Sequence, residues 1–190
     1  MLLLVGLGNP GSNYTNTRHN IGFKIIDAIN SHFKLSKQKP KFKGLLTTGN
    51  IDEQKIYAIK PLTFMNNSGT AIKELIDYFK IDAKDVFVFH DDLDIDFGKI
   101  KAKFGGSSAG HNGIESIDKF IGKDYSRIRI GIGHPKEKKK VNNHVLEDFK
   151  EDEEEKINEI TENIVKQLPT LIGKKMDLFS SKVNQNLNGI

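Results

Sequence analysis

VFVFHDDLD, residues 86–94, decides the class of fold, because four apolar residues run directly into a histidine and three aspartates. An unbroken run of Val and Phe is typical of a strand buried on both faces, as in a parallel sheet with helices on either side. Folds of this class place their ligand and catalytic groups beyond the carboxyl ends of the strands. The stretch therefore predicts an α/β fold with a polar site directly after this strand.

The sequence on either side supplies the other layers of such a fold. Continuous or alternating apolar runs predict strands at 2–5, 45–50, 55–60, 99–104 and 127–133. Apolar residues at helical spacing predict helices at 21–33, 68–80, 110–121 and 152–168, with a second helical stretch after Pro169. Because strands and helices alternate without a linker, we expect residues 1–190 to form one three-layer domain, which includes the acidic helices from about residue 151. Its middle layer should be a twisted, mixed and mostly parallel sheet flanked by helices.

The composition excludes several kinds of protein and site. The chain has 190 residues, of which 37% are hydrophobic and 28% charged, and it contains no cysteine. Disulfides and thiolate metal sites are therefore excluded. No stretch approaches the roughly 20 apolar residues that are needed to span a bilayer. We expect a soluble, cytoplasmic protein with no membrane partner.

The net charge of +4 is unevenly distributed along the chain. Residues 99–140 contain eleven Lys or Arg against four Asp or Glu, whereas residues 141–190 contain six against ten. A polyanion is attracted to the first segment and repelled by the second. Within the first segment, alternation places Lys101 and Lys103 on one face of a strand, as recognition of a phosphate backbone requires. A charged face also keeps a protein in solution, so both interpretations stay open.

The segment GLGNPG, residues 6–11, matches the GxGxxG fingerprint of dinucleotide-binding folds. That motif requires a helix to begin at its third glycine and an acidic residue about 20 positions further on, at the end of a second strand. Here the apolar stripe begins only near Ile21, and Asp27 falls inside the predicted helix. We therefore interpret the three glycines as a tight turn off the first strand, which presents the polar residues that lead to His19.

His19 and one of the aspartates after the buried strand could form a catalytic pair. A carboxylate beside a histidine fixes the tautomer of the imidazole and stabilises its protonated form, so that the imidazole becomes a better base. The competing interpretation is a metal-dependent hydrolase centred on Asp91, Asp92 and Asp94.

Two further segments place polar side chains before helices. In GGSSAGHNG, residues 105–113, Asn112 can donate to a developing oxyanion or can simply cap the helix. In PLTFMNNSG, residues 61–69, Asn66 can bind the backbone of an extended peptide while Met65 packs against it. The alternative is that Phe64 and Met65 belong to the core.

Taken together, five segments resemble those of one family. They are GLGNPGSNYTNTRHNIGF, TFMNNSG, HDDLD, GGSSAGHNG and RIRIGIGHP. Their order and spacing are similar to those of bacterial peptidyl-tRNA hydrolases from about residue 2 to residue 149. The resemblance implies a hydrolase that cleaves the ester between a peptide and the 3′ end of a tRNA, without a metal or cofactor. We expect it to act as a monomer; the alternative from another class is an RNA-binding protein without catalysis.

The resemblance also implies roles for individual residues. His19 is implied to be the base that activates water, and Asp91 the carboxylate that orients it. The amides implied to position the peptide and the water or oxyanion are those of Asn9, Asn66 and Asn112. The other implied substrate contacts are Phe64, Met65, His111 and, against the terminal nucleotide, Tyr14. The implied contacts to tRNA phosphates are Lys101, Lys103, Arg129 and Lys138.

Two positions depart from the pattern of the family. Ala109 stands where a glycine is usual, in the loop before His111, and we expect it to stiffen that loop slightly. His144 stands where we expect a tyrosine, which leaves the details of its segment open. Neither position belongs to the pair formed by His19 and Asp91.

Overall fold

Seven strands form one sheet across the middle of the molecule. The structure is a computed structural model that describes residues 1–135 and 140–187. The strands are β1 (Leu2–Gly6), β2 (Lys39–Lys41), β3 (Gly44–Ile51), β4 (Gln54–Pro61), β5 (Val86–Asp92), β6 (Ile100–Phe104) and β7 (Ser126–Gly131). Their order across the sheet is β2-β3-β4-β1-β5-β7-β6.

Four strands in the centre of the sheet, β4, β1, β5 and β7, run parallel to one another. The flanking strands β3 and β6 pair antiparallel with β4 and β7, and β2 pairs antiparallel with β3. The predicted mixed sheet is therefore confirmed. Because the central strands are parallel, their carboxyl ends meet at one edge, and the loops that follow β1, β4, β5 and β7 converge there.

Helices cover both faces of the sheet. They are α1 (Ile21–His32), α2 (Ser68–Phe79), α3 (Asn112–Ile121), α4 (Val141–Leu146), α5 (Glu151–Ile172) and α6 (Met176–Asn186). One buried cluster joins α1, α5 and α6 to Leu2, Leu4 and other residues on one face of the sheet. A second cluster joins α2 and α3 to Leu3 and Val5 on the opposite face, as the twofold periodicity of a strand requires. The three-layer α/β architecture is confirmed.

The C-terminal helices complete the larger of the two cores. Ile157, Ile160 and Leu168 of α5 and Phe179 of α6 are buried in the cluster that contains α1. This packing supports our expectation that the helices after residue 151 belong to the same domain as the rest of the chain, which stays a prediction. No helix in the described part of the chain is long and apolar enough to cross a membrane.

Three predictions about elements were wrong or incomplete. Helix α5 runs through Pro169 to Ile172 instead of ending before the proline. A proline inside a helix removes one hydrogen bond, to the carbonyl four residues earlier, but Leu168 and Leu171 on either side are fully buried and hold the last turn in place. Strand β2 and helix α4 were not predicted, because they are short and have no apolar periodicity.

The glycines after β1 allow close packing more than they turn the chain. A Cβ atom on Gly6 would lie 2.2 Å from the carbonyl oxygen of Gly22, and one on Gly22 would lie 2.3 Å from the Leu7 nitrogen. Only Gly11 of the three motif glycines has a left-handed backbone, with φ of 109°. The interpretation of all three as a tight turn was therefore wrong. Gly6 and Gly8 let the first turn of α1, at Gly22 and Phe23, pack closely against β1 and the residue pair that follows it. His19 lies two residues before this helix.

Candidate active site

The candidate site lies at the sheet edge where the parallel strands end. His19 is in a short 3-10 helix, Arg18–Asn20, that leads into α1. Asp91 is the sixth residue of β5, and His111 directly precedes α3. These elements bring together three side chains that are separated by up to 92 positions in the sequence. The predicted pair of His19 and Asp91 is present in the structure.

Asp91 fixes the tautomer of His19. The Nδ1 atom of His19 is 2.9 Å from each carboxylate oxygen of Asp91. Because a carboxylate only accepts hydrogen bonds, Nδ1 carries the proton and donates it to Asp91. In the neutral ring Nε2 is then unprotonated, so its lone pair is free to accept a proton from a reactant. This arrangement is that of a general base.

The electrostatics of the pair favour a charged intermediate. Burial alone would lower the pKa of His19, but the negative charge and hydrogen bond of Asp91 outweigh it and raise that pKa above its ordinary value. Burial alone would raise the pKa of Asp91, yet the facing His19 and His111 hold it well below its usual range. Asp91 therefore stays ionised and stabilises the imidazolium that forms when His19 takes a proton.

His111 has a structural role that the sequence did not reveal. Its Nδ1 atom accepts hydrogen bonds from the backbone N–H groups of Gly113 and Ile114, at 3.1 and 3.3 Å, and so caps α3. The proton of the neutral ring is therefore on Nε2, which donates to Asp91 at 2.9 Å. The alternative in which Asn112 caps the helix is wrong. The Asn112 side chain makes no hydrogen bond within the described residues and remains available to a ligand.

His90 supports His111 from behind. Its buried ring lies edge-on to that of His111, with centroids 4.9 Å apart, and its Nδ1 atom donates to the Asp91 carbonyl oxygen at 2.7 Å. Burial is the main cause that lowers the pKa of His90 to about 3, so this ring stays neutral. His90 therefore packs against the site without competing for the proton that His19 transfers.

Asn9 is locked in place by its neighbours. Its side-chain oxygen accepts from the backbone N–H of Met65 at 2.8 Å, which ties the loop after β1 to the loop after β4. The side chain of Asn20 binds both the N–H and the carbonyl of Asn9, at 2.8 and 2.9 Å. The amide NH₂ of Asn9 is then the group left for a ligand. We did not predict the role of Asn20, although it adjoins His19 in the same motif.

Two connected cavities surround His19. One, of about 300 Å³, is lined by Asp91, His111, Asn112 and the α4 residue Val145. The other, of about 530 Å³, joins the residues predicted to hold the peptide, which are Asn9, Phe64, Met65, Asn66 and Asn112. Met65 is buried, as expected of a core residue, whereas Phe64 is 60% exposed. The alternative that both residues belong to the core therefore holds for Met65 and is wrong for Phe64. We call the two cavities together the catalytic groove.

A cationic face adjoins the groove at the edge of the sheet. Lys101 and Lys103 are exposed on β6 and pair in register with Arg129 and Arg127 of β7. Neither lysine forms an ion pair with a described residue. The Arg129 Nε atom binds Asp92 at 2.6 Å, and Arg127 is buried against Asp118.

Comparisons with known proteins match nearly the whole chain. A family model described as peptidyl-tRNA hydrolase matches residues 3–189. The chain belongs to the peptidyl-tRNA hydrolase family. A peptidyl-tRNA hydrolase of Pelagibacter ubique is 72% identical over 184 residues, which cover 97% of this chain and 99% of that protein. One of Ehrlichia ruminantium (strain Welgevonden) is 46% identical over 181 residues, covering 95% and 93%.

Solved structures of the peptidyl-tRNA hydrolase family share the fold over nearly the whole chain. The crystal structure of the enzyme from Acinetobacter baumannii has a TM-score of 0.91 at 34% identity, covering 97% of this chain and 94% of the other. The resemblance in the sequence is therefore confirmed. It also extends further than predicted, because the match of the family model continues through α5 and α6.

The two departures from the family pattern have visible consequences. Ala109 has a left-handed backbone, with φ of 48°, a conformation that costs a residue with a Cβ atom about 1–2 kcal/mol and glycine almost nothing. His144 lies in α4, and its Nε2 atom is 3.2 Å from the carbonyl oxygen of Ile132. Both positions lie around the groove, and neither touches Asp91.

Arg18 is a second residue that we did not predict. Its buried guanidinium contacts the carbonyl oxygens of His144 and Glu147, at 3.4 and 3.3 Å, and the Glu153 carboxylate at 2.6 Å. It also lies over the ring of Phe149, 5.5 Å from the centroid. Arg18 therefore ties the residue next to His19 to α4, which forms one wall of the groove. The sequence feature that could have drawn attention to Arg18 is its position directly beside the candidate base His19.

The remaining predicted residues are placed as follows. Tyr14 is half-buried in the loop before His19 and is not among the residues that line the catalytic groove. Lys138 lies outside the described residues. The carboxylates of the metal alternative have separate partners, since Asp92 binds Arg129 and Asp94 is 2.9 Å from the Nε2 atom of His134. A site centred on Asp91, Asp92 and Asp94 is therefore wrong.

A different set of ligand atoms does converge. Atoms of His19, Asp91 and His111 lie within 4.8 Å of one another, close enough to hold a metal ion. The hydrogen bonds of both histidines to Asp91 already use these atoms, and a cation between them would have to break those bonds. The arrangement fits a hydrogen-bonded base better than a metal centre.

Proposed function

We propose that this chain cleaves the ester that joins a peptide to the 3′-terminal ribose of a tRNA, with His19 as the general base. The observation that carries the proposal is the His19 ring, held by both Asp91 oxygens, at the meeting point of the two cavities of the catalytic groove. Membership of the peptidyl-tRNA hydrolase family supports the choice of substrate.

The reaction begins at the free nitrogen of His19. Nε2 removes a proton from a water molecule, whose oxygen attacks the carbonyl carbon of the ester. The amide of Asn112 donates to the oxyanion or holds the water in line. The tetrahedral intermediate collapses when the bond to the ribose 3′ oxygen breaks, and the imidazolium of His19 returns the proton to that oxygen. The products are a peptide with a free carboxylate and a tRNA with a free 3′ hydroxyl.

Binding of the two halves of the substrate uses different surfaces. The NH₂ groups of Asn9 and Asn66 hold the peptide backbone, and Phe64 and Met65 pack against its side chains. Lys101 and Lys103, which are exposed and form no ion pair with a described residue, bind phosphates of the tRNA. Arg129, in register with Lys101, joins them when a phosphate replaces its partner Asp92. A contact of Lys138 with a phosphate belongs to the same proposal. Tyr14 does not line the catalytic groove, so the proposal does not include its implied contact with the terminal nucleotide.

This chemistry requires neither a metal nor a cofactor, since the base and its orienting carboxylate are both side chains of the chain. All of the proposed catalytic groups come from one copy, so a monomer is sufficient. We also place the enzyme in the cytoplasm, where tRNA is charged and used.

The experiment is incubation of the enzyme with N-acetyl-aminoacyl-tRNA in the presence of excess chelator. We expect release of the N-acetyl amino acid and of tRNA at the same rate as without chelator. Loss of activity that added metal restores would favour a metal-dependent hydrolase at His19, Asp91 and His111. Binding of the tRNA without release would favour the alternative of an RNA-binding protein.

A further inference from the structure

A third cavity lies beside Asn9, next to the catalytic groove. It has a volume of about 500 Å³ and is enclosed by the loop of residues 9–17, the first turns of α1 and the ends of β3 and β4. Asn9 lines both this cavity and the catalytic groove. Leu62 and Phe64, two residues apart after β4, line the cavity and the groove respectively. The two spaces are therefore neighbours.

We propose that this cavity, called here the upstream cavity, binds the residues of the peptide that lie two or more positions before the ester. The proposal rests on the proposed function, because it extends the path of the same substrate. It assigns a specificity-determining surface to residues outside the catalytic groove, chiefly Leu62, Phe23 and Lys60.

The order of the strands supports this direction for the peptide. His19 and Asp91 lie over β1 and β5, near the middle of the sheet. The cationic face is on β7 and β6, toward one edge, and the upstream cavity is at β4 and β3, toward the other. The ester carbonyl joins the tRNA on one side to the peptide on the other. A tRNA bound on the β6 side therefore leaves the peptide pointing toward β4.

The charges of the upstream cavity fit a peptide better than a nucleic acid. Two lysines and two acidic residues line it, so that their formal charges cancel: Lys24, Lys60, Asp27 and Glu154. Lys60 is buried and binds both carboxylate oxygens of Asp27, at 2.5 and 2.8 Å, which neutralises it locally. A phosphate backbone gains little from such a lining, since affinity for it depends on unpaired cations.

The rest of the lining alternates apolar and hydrogen-bonding groups. Phe23, Leu62 and Phe149 supply apolar surface, and Ser12, Thr15 and Asn16 supply polar side chains that make no hydrogen bond within the described residues. Leu62 is 41% exposed at the rim, although it is a large apolar residue. Ligand sites commonly combine apolar walls with a few polar groups, and this mixture accepts peptides of varied sequence.

The test compares two substrates that carry the same tRNA. One bears a single N-acetylated amino acid, which reaches only the catalytic groove, and the other bears an N-acetylated peptide of four residues ending in that amino acid. For each enzyme we take the ratio of kcat/KM for the long substrate to that for the short one. Because the tRNA is common to both, its binding cancels in this ratio.

The variants are Leu62→Ser and, as a matched control, Leu178→Ser, since Leu178 is similarly exposed at 45% but lies on α6. We expect Leu62→Ser to lower the ratio about fivefold, through loss of apolar contact, and Leu178→Ser to keep the ratio of the natural enzyme. Leu62→Met should restore most of the ratio.

Two results would overturn the inference. One is an unchanged ratio in Leu62→Ser, measured on protein whose melting temperature matches that of the control. The other is an equal fall of the ratio in both variants. If the natural enzyme releases neither substrate from its tRNA, the proposed function itself fails, and the inference that rests on it fails with it.

Discussion

Asp91 is the residue that joins the parts of the site, because it accepts hydrogen bonds from His19 and His111 at the same time. Its charge raises the pKa of His19 against the opposing effect of burial. The base works in its neutral form, so activity increases as pH rises through that pKa. We expect kcat/KM to increase with pH, with a midpoint above the ordinary histidine value of about 6.5.

Replacement of the carboxylate tests this account of His19. In Asp91→Asn the charge that raises the pKa is removed while burial remains, so the midpoint of the pH–rate profile should shift downward. The rate at its plateau should fall by about two to four orders of magnitude, because an amide neither fixes the tautomer nor stabilises the imidazolium. The measurement is kcat/KM on N-acetyl-aminoacyl-tRNA from pH 5 to 9. Asp82→Asn, an exposed change paired only with Lys84, should leave the profile unaltered. A midpoint that stays in place in Asp91→Asn would contradict the account.

At the scale of elements, the groove depends on a short helix that has no core of its own. None of the residues of α4 is buried. Arg18 binds the carbonyl oxygen of His144 in α4 and the carboxylate of Glu153 in the first turn of α5, and so links the two helices. Removing one partner of a buried ion pair costs more than an exposed pair contributes, because the other charge is left without compensation.

Arg18→Gln should therefore loosen one wall of the groove. We expect the free energy of unfolding to fall by roughly 2–4 kcal/mol and KM to rise more than kcat falls, since His19 keeps its bond to Asp91. Urea denaturation and steady-state kinetics measure the two effects. Arg18→Lys keeps the charge, so its stability and its KM should both lie between those of Arg18→Gln and the natural enzyme. A variant that loses stability but keeps its KM would show that α4 does not shape the groove.

The predictability of the fold and site differed from element to element. β5 and α2 were predictable because burial imposes a period that the sequence displays, as in Ile72, Leu75 and Ile76. The course of α5 through Pro169 was not, since it depends on tertiary packing around the proline. His19 and Asp91 could be paired through the family resemblance, whereas the cap formed by His111 and the anchor formed by Arg18 depend on contacts across the fold that no local pattern encodes.

At the scale of the whole molecule, the two sides of the sheet edge differ in charge. Exposed lysines occupy β6, and the lining of the upstream cavity near β4 is balanced. We expect this asymmetry to orient a substrate that has one polyanionic half. The acidic first turn of α5, residues 151–154, suits the positive end of its own helix, and we expect it to repel a polyanion locally.

The salt dependence of tRNA binding tests the cationic face. The double variant Lys101→Ala/Lys103→Ala should weaken binding. It should also reduce the slope of log Kd against log salt concentration by about 1 to 2, because binding through fewer phosphate contacts releases fewer counterions. The control is Lys37→Ala/Lys39→Ala, which removes the same charge from exposed positions at the opposite edge of the sheet. Equal slopes for the two double variants would place the tRNA on another surface.

The central claim is that His19 performs the chemistry and contributes little to the affinity for tRNA, and His19→Ala tests it most directly. The fold should persist, because Asp91 keeps its hydrogen bond to His111. Single-turnover hydrolysis of N-acetyl-aminoacyl-tRNA and the Kd for the same tRNA are measured on one preparation. We predict that hydrolysis falls by about two to four orders of magnitude, as for loss of a general base, while Kd changes less than about twofold. Hydrolysis that survives the substitution, or falls only in proportion to a loss of affinity, would contradict the account.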